Sequence, residues 1–254
     1  MRLATGSNGM RVIYEPRGRA REYSPLSLNL YNGCSHACRY CYVPAVCKKH
    51  PEMFHAQVSP RKDILGKIEK DCKEIRGEDA QVLFCFTSDP YQEAEKRHGL
   101  TQQAIEIFRE NNVSFQVLTK GGMLAARDFD LYTPRDQVAA TMTFLDDKDS
   151  LEWEPGAVLP GERMEMLRLA KSMGIRTWVS LEPVIDPEQS LEIIRQTHGY
   201  VDRYKVGKLN YHERAKEIDW EKFAADAVTL LEEHGCEYYV KKDLRRYMYA
   251  ETAR

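Results

Sequence analysis

No run of 18 apolar residues occurs in the 254-residue chain, so no membrane-spanning helix is expected. The first residues, Met1-Arg-Leu-Ala-Thr-Gly-Ser-Asn-Gly, lack the apolar core of a signal peptide, and a cytoplasmic protein is the expectation. Excess charge is also missing. A formal net charge of −2 excludes a global basic field that would draw the chain onto nucleic acid, leaving only local basic faces. There are no internal repeats and no low-complexity linkers, and the length suits one large α/β domain or two small ones. An even cysteine count is absent: there are seven, and three crowd one loop, which argues against a disulfide framework and for a metal site.

That loop is Cys34-Ser-His-Ala-Cys38-Arg-Tyr-Cys41-Tyr42. Three thiolates this close suit a soft metal centre, and three is one fewer than a closed tetrahedral site uses. A structural zinc would recruit a fourth ligand from His36, Cys47, His50 or His55, but no second C-x-x-C pair is present. An iron–sulfur cluster with one iron left open fits the trio best.

Hydrophobic periodicity predicts seven strands alternating with helices. The strands are expected at Leu26–Tyr31, Gln81–Phe86, Ser114–Leu118, Gln137–Phe144, Ile175–Leu181, Arg203–Val206 and Glu237–Val240. Helices are expected from Ile64 to Ile75, over 99–111, from Met123, and over 160–173, 187–197, 220–234 and 243–249. Asp146-Asp-Lys-Asp149 reads as an acidic loop, and Lys48-Lys-His50 as a loop or short helix. Such alternation implies parallel strands with right-handed crossovers. No G-x-G-x-x-G follows the first strand, so the expected fold is α/β, a partial (β/α)6 TIM-like barrel with a short C-terminal strand and helix extension. Residues 1–25 form an N-terminal arm in this reading, 26–210 the barrel core, and 211–254 a C-terminal helical extension of the same domain. Polar residues cluster after the strands, where a β/α barrel builds its site: Thr87 to Asp89, Lys120, Thr141 and Thr143, Glu182, Lys208 and Asn210.

The C-x-x-x-C-x-x-C loop after a first strand resembles the signature of the radical S-adenosylmethionine enzymes. Asn32-Gly-Cys34, Arg39-Tyr-Cys-Tyr42, Thr87-Ser-Asp-Pro-Tyr-Gln92, Thr119-Lys120, Arg127-Asp128 and Glu182-Pro183 resemble its spore photoproduct lyase-like, DNA repair photolyase-related branch. The resemblance implies that Cys34, Cys38 and Cys41 hold a [4Fe–4S] cluster whose fourth iron chelates S-adenosyl-L-methionine. It implies one-electron cleavage of that cofactor to a 5′-deoxyadenosyl radical that abstracts a substrate hydrogen. It places Lys120 and Thr141 or Thr143 at the cofactor carboxylate, Ser88 and Asp89 at its amino group, and Tyr42 beside the adenine or cluster. Tyr40 and Tyr42 match a tyrosine pair used in hydrogen or electron return. The branch carries a hydrogen-donor cysteine directly before Thr-Ser-Asp; here Phe86 stands there, and Cys85 one earlier should point to the opposite face of the strand.

Other readings accompany these. Asp89 suits either a turn cap or a cofactor contact. Glu182 suits a cofactor-ribose or substrate contact, and Lys208 and Asn210 a substrate or adenine contact. His36 is expected to face solvent, and Cys72 to sit in the core. Arg11, Arg17, Arg19 and Arg21 form a solvated basic arm or reach an anionic ligand, and Lys241, Lys242, Arg245 and Arg246 a solvated helix face or an anionic-substrate patch. The expected function is a radical S-adenosylmethionine enzyme, of lyase or transferase type, supplied by a flavodoxin- or ferredoxin-like one-electron reductant. Its substrate is DNA, RNA or a nucleotide, with a peptide or small metabolite as the alternative. A non-catalytic zinc or iron–sulfur binding module is the reading from a different class.

Overall fold

The computed structural model describes residues 11–77 and 79–248. Seven strands form one parallel sheet in chain order: β1 (Leu26–Leu28), β2 (Val82–Phe84), β3 (Phe115–Thr119), β4 (Gln137–Thr141), β5 (Arg176–Leu181), β6 (Arg203–Val206) and β7 (Glu237–Val240). Every neighbouring pair is parallel, with Thr141 opposite Ser180 and Ser180 opposite Lys205. Helices α1 (Ile64–Glu74), α2 (Leu100–Glu110), α3 (Pro160–Ser172), α4 (Pro187–Thr197) and α5 (Trp220–Glu233) fill the crossovers, and α6 (Lys242–Met248) follows β7. The crossover from β3 to β4 is a 3-10 helix, Gly122–Leu131, in place of the short α-helix expected from Met123. Tyr249, the expected last residue of α6, lies outside the described residues, as do residues 1–10 of the arm. Among the described residues no helix is long and apolar enough to cross a membrane.

Each helix buries one stripe against the outer face of the sheet. On α2 this is Leu100, Ala104, Ile105 and Phe108; on α5 it is Phe223, Ala227 and Leu231, and Cys72 of α1 is fully buried as expected. The inner face carries a smaller cluster of Leu83, Ala139 and Trp178, joined by Tyr23, Phe86 and Leu118. Side-chain alternation continues this inner row toward the carboxyl ends as Lys120, Thr141 and Thr143, Ser180 and Glu182, Lys205, and Lys241.

Two expectations are corrected. The first strand does not run from Leu26 to Tyr31. It stops at Leu28, and Tyr31–Asn32 pairs antiparallel with Ser59–Pro60. The buried Asn29 side chain accepts the amides of Phe86 (2.9 Å) and Thr87 (2.7 Å), so the chain leaves the sheet there. Asp146–Asp149 is not a loop: Asp146 caps the amide of Asp149 at 2.9 Å and opens a helix, Asp147–Trp153, whose acidic first turn suits the helix dipole. The described part of the arm packs along the sheet, though Arg17, Arg19 and Arg21 stay exposed as expected of a solvated arm. Arg11 pairs with Glu74, Arg19 with Asp243 and Arg21 with Glu15, while Tyr14 bridges Ser27 at the β1 edge.

Two cavities, of about 340 and 460 Å³, lie at the amino ends of the strands. The cysteine loop lies at the opposite, carboxyl ends, where barrels of this kind place their chemistry.

Candidate active site at the carboxyl ends of the strands

The cysteine loop is clamped from two sides. On one, Gln92, fully buried, accepts the Ser35 amide at 2.8 Å and donates to the Gly33 carbonyl at 3.3 Å, and His55 Nδ1 donates to the Cys34 carbonyl at 2.8 Å. On the other, the Arg39 amide donates to Trp153 O (2.8 Å), the Gly156 amide to His36 O (3.0 Å), and the Val158 amide to Lys120 O (3.2 Å). Residues 153–158 thus tie the loop to the end of β3. A Cβ on Gly156 would stand 2.1 Å from the Ser35 carbonyl oxygen, so only glycine permits this approach. Cys34, Cys38 and Cys41 remain free and partly exposed.

Burial pushes all three thiols upward. The Asp89 and Cys38 charges add to the effect at Cys34. At Cys38, raised to about 11, the Lys120 ammonium opposes it. Thiols held up in this way become ligands only when a metal supplies the compensating positive charge. Among the described residues no three His, Cys, Asp or Glu side chains are arranged to hold a single ion. Thiolates that each bind a different iron of one cluster need not converge on one point.

The four side chains named as a fourth zinc ligand divide. His36 and His55 are engaged, and Cys47 and His50 are exposed. His36 does not face solvent: it is 4% exposed, with Nδ1 3.5 Å from Asp89 Oδ2, because residues 153–158 cover the loop. Asp89 is a local organiser. Its Oδ1 accepts the Tyr91 amide (2.8 Å) and the Thr119 hydroxyl (2.6 Å), and its Oδ2 accepts the Lys120 amide (2.8 Å). Its carboxylate therefore joins the end of β2 to the end of β3. Ser88 Oγ is buried without a nitrogen or oxygen partner, with the Cys85 thiol beside it.

Beneath the loop lies a charged wall that the sequence did not announce. Glu154, 1% exposed, accepts from the Tyr40 and Thr143 hydroxyls, the latter at 3.1 Å. Arg163 Nη2 stands 2.6 Å from its Oε2, and Lys120 Nζ 3.9 Å from its Oε1. Burial works against the Glu154 charge, but Arg163 and Lys120 overcome it and hold the carboxyl below its usual range. Burial likewise opposes the Lys120 ammonium, and Cys38 and Glu154 outweigh it, leaving the pKa raised. The backbone carbonyl of Thr141 accepts from Arg163 at 3.0 Å.

Across the lumen stands a second charged wall. Tyr23, from the arm, donates to Glu182 Oε2 at 2.6 Å and touches Ser180 Oγ at 2.8 Å. Lys241 pairs with the same Glu182 oxygen. A Cβ on Gly207 would stand 2.7 Å from Glu182 Oε1, so the carboxylate lies flat against that backbone. Lys241 is therefore neither a solvated residue nor part of an exposed patch; it is 2% exposed.

Besides Cys34, Cys41, Ser88, Asp89, Thr141 and Glu182, described above, the expected site residues fall into three sets. Cys38, Tyr40, Lys120 and Thr143 gather around Glu154. Tyr42, half exposed, lies near Cys41 and Glu182. Lys208 points elsewhere: its Nζ donates to Tyr247 OH at 3.0 Å and lies over the Trp220 and Tyr247 rings. Phe86 joins the inner cluster, while Cys85 packs with the outer core, on the other side of the sheet.

Comparison with known proteins adds a family. A family model described as the Radical SAM superfamily matches residues 28–201. An uncharacterized protein of Mycobacterium tuberculosis is 27% identical over 168 residues, covering 63% of this chain and 49% of the relative. Another, of Methanocaldococcus jannaschii, is 26% identical over 186 residues, covering 72% and 70%. The chain thus spans about half the length of the mycobacterial relative. Among solved structures, a spore photoproduct lyase double mutant with bound AdoMet and dinucleoside spore photoproduct superposes with a TM-score of 0.67 at 14% identity, over 88% of this chain and 78% of that one. SuiB of Streptococcus suis, bound to S-adenosylmethionine, gives 0.62 at 11% identity, over 88% and 48%. These structural likenesses bear out the partial-barrel fold.

Proposed function

The chain belongs to the radical SAM superfamily, and on that premise we propose that it is a radical S-adenosylmethionine enzyme. The observation that carries the reading is the three free thiols of one clamped loop at the carboxyl ends of the strands. When bound, a [4Fe–4S] cluster and S-adenosyl-L-methionine supply one-electron cleavage to a 5′-deoxyadenosyl radical that takes a hydrogen from the substrate.

The residues fit that pair of groups. Cys34, Cys38 and Cys41 would hold the cluster. Lys120 lies close to Cys38 and suits a carboxylate, and Ser88, beside the Cys85 thiol, is proposed for the ammonium on the resemblance alone. Glu182 offers Oε1, which has no hydrogen-bond partner among the described residues, to a hydroxyl or amine. Asp89 acts in this reading by fixing the β2 and β3 ends, and Thr143 by holding Glu154, more than by touching a ligand. Tyr40 holds its phenolic proton against Glu154, and burial first, then Cys38 and Glu154, raises its pKa well above the usual value; as a radical or hydrogen carrier it would need that bond broken. Tyr42, half exposed, is the freer of the two tyrosines.

The substrate proposed is a nucleotide or nucleic acid, supported by the likeness to a lyase solved with a dinucleoside. A net charge of −2 favours the second reading, a peptide or small metabolite. The absence of a cysteine at Phe86 argues against the lyase's own hydrogen return. A flavodoxin- or ferredoxin-like reductant, a cytoplasmic setting, and residues 26–210 as the catalytic unit with 211–254 as its extension complete the proposal. Iron and acid-labile sulfide analysis after anaerobic reconstitution tests it: about four of each per chain are expected. Stoichiometric zinc without sulfide contradicts it.

A further inference from the structure

Next to the cysteine loop stands a small surface that packing does not explain. Two short helices, Val43–Val46 and Pro51–Ala56, pack on each other as a hairpin. The inner side of the hairpin is anchored. Val43 and Phe54 are buried, and His55 Nδ1 donates to the Cys34 carbonyl at 2.8 Å. A Cβ on Gly33 would stand 2.6 Å from the Phe54 carbonyl oxygen and 2.7 Å from that of Gln57, so the hairpin backbone lies directly on the loop. The outer side is bare. Residues 45–53, Ala-Val-Cys-Lys-Lys-His-Pro-Glu-Met, are exposed without a break, with Val46 at 65% and Met53 at 50%.

Lys48 and Lys49 in this run have no carboxylate partner among the described residues, and the one acid there, Glu52, lies 3.9 Å from His50. Lys48 has φ 52°, the left-handed backbone that closes a helix, and its amide donates to Ala45 O at 3.2 Å. Glycine takes that conformation without strain, yet a lysine stands there. In a chain of 39 acids and 37 bases this is a local excess of positive charge, set beside exposed apolar side chains. Neither feature holds the fold, because the inner side of the hairpin does that alone. Both suit a partner protein met through charged and apolar contacts together. Position says which partner. The hairpin lies on the loop that carries Cys34, Cys38 and Cys41, and the Cys47 thiol acts on the charge of Cys41. His55, partly exposed, reaches from the hairpin to the Cys34 carbonyl, while residues 153–158 cover the other side of the loop. A protein seated on residues 45–53 therefore stands one layer of chain from the cysteines.

We propose that residues 45–53 are the docking face for an acidic one-electron donor protein, with Lys48 and Lys49 meeting its carboxylates and Val46 and Met53 its apolar surface. The assignment rests on the three cysteines holding a reducible cluster, as proposed above, and it names where the electron enters. One electron leaves the reduced donor and enters the cluster; no bond forms or breaks, and the donor departs oxidised by one electron. A nucleic acid fits this face less well. Two lysines neutralise few phosphates, and exposed Val46 and Met53 offer a phosphate backbone nothing.

Calorimetric titration of the cluster-loaded full chain with an oxidised flavodoxin of acidic surface tests it. Lys48→Glu/Lys49→Glu is expected to weaken binding at least about tenfold at low salt. The difference should shrink as the screening length falls from about 10 Å at 0.1 M salt to about 3 Å at 1 M. Val46→Ser/Met53→Gln, which leaves the charge alone, should weaken binding at least about threefold. Arg135→Glu/Lys171→Glu makes the same change of net charge at the amino ends of the strands and should leave the affinity within about twofold. Equal affinity in the wild type and the Lys48/Lys49 variant overturns the docking face, and so does an equal loss in the amino-end control. If the Lys48/Lys49 variant loses binding of single-stranded DNA instead, the face is a nucleic-acid surface and the assignment fails. Stopped flow gives a second reading. The Lys48/Lys49 variant should slow reduction of the cluster by reduced flavodoxin but not by photoreduced deazariboflavin, a small uncharged donor; equal slowing with both overturns the face. A chain that binds the flavodoxin here yet yields no 5′-deoxyadenosine keeps the face and loses the proposed reaction. One that forms 5′-deoxyadenosine with dithionite but binds no donor here keeps the reaction and loses the face.

Discussion

Under the cysteine loop, Glu154 is met by Arg163 at 2.6 Å, by Lys120 at 3.9 Å and by two hydroxyls; across the lumen, Glu182 pairs with Lys241, and Lys205 donates to the Tyr23 carbonyl instead. Both walls bury lysines at strand ends, and each sets two cations against one carboxylate; the first brings both cations within ion-pair reach of it, while the second pairs Lys241 alone and leaves Lys205 without a carboxylate partner among the described residues. A matched wall holds a geometry. Tyr40, Thr143 and Lys120 are all tied to the same Glu154 carboxylate. An unpaired buried lysine costs stability whenever it is charged. The glycines repeat the contrast. Gly156 lets backbone meet backbone against the cysteine loop, while Gly207 makes room for a side chain, Glu182.

The largest expected effect breaks the matched wall. Glu154→Gln keeps the shape but leaves Arg163 without its buried counter-ion, and should destabilise the fold by about 3–5 kcal/mol in urea unfolding. A loss under about 1 kcal/mol would show that the wall is not a charge lock. Next, the added methyl of Gly156→Ala must displace the Ser35 carbonyl, at a cost of roughly 1–3 kcal/mol. Iron per chain should fall with it; Gly207→Ala, which presses on a side chain, should leave iron content unchanged.

The unmatched wall is read through pH. The folded pKa of Lys205 is about 7, below the unfolded value of about 10.4, so the unfolded chain holds that proton more tightly. Below about pH 7 the buried ammonium exerts its full penalty, and the penalty fades as pH rises toward 10. Lys205→Met removes this dependence. Raising the pH from about 7 to 9 should therefore stabilise the wild type relative to the variant by roughly 2 kcal/mol. Parallel pH profiles would mean that Lys205 is not the strained cation described.

Much of this was legible in the chain. The trio of cysteines, the seven strands and the placement of Lys120, Thr143 and Glu182 at strand ends follow from spacing and period, which are local properties. Glu154 and Arg163 were not. One lies in a Trp-Glu-Pro-Gly loop and the other among methionines on α3, and only the fold makes them a pair. His36 read as solvent-facing because its cover, residues 153–158, arrives from more than a hundred positions away. Lys205 carries a local signal: in Arg203-Tyr-Lys-Val206 it shares a face with Arg203, against buried Tyr204 and Val206. Tyr23 left none, since nothing local says that an arm residue enters the lumen.

The central claim is that Cys34, Cys38 and Cys41 make this chain a radical-generating enzyme. The direct measurement is 5′-deoxyadenosine formed from S-adenosylmethionine and dithionite by the anaerobically reconstituted protein, beside Cys38→Ala. The account predicts product from the wild type and a loss of at least about 100-fold in the variant, since one missing thiolate undoes the cluster. Equal product from both, or none from a wild type carrying its full iron and sulfide, would contradict it.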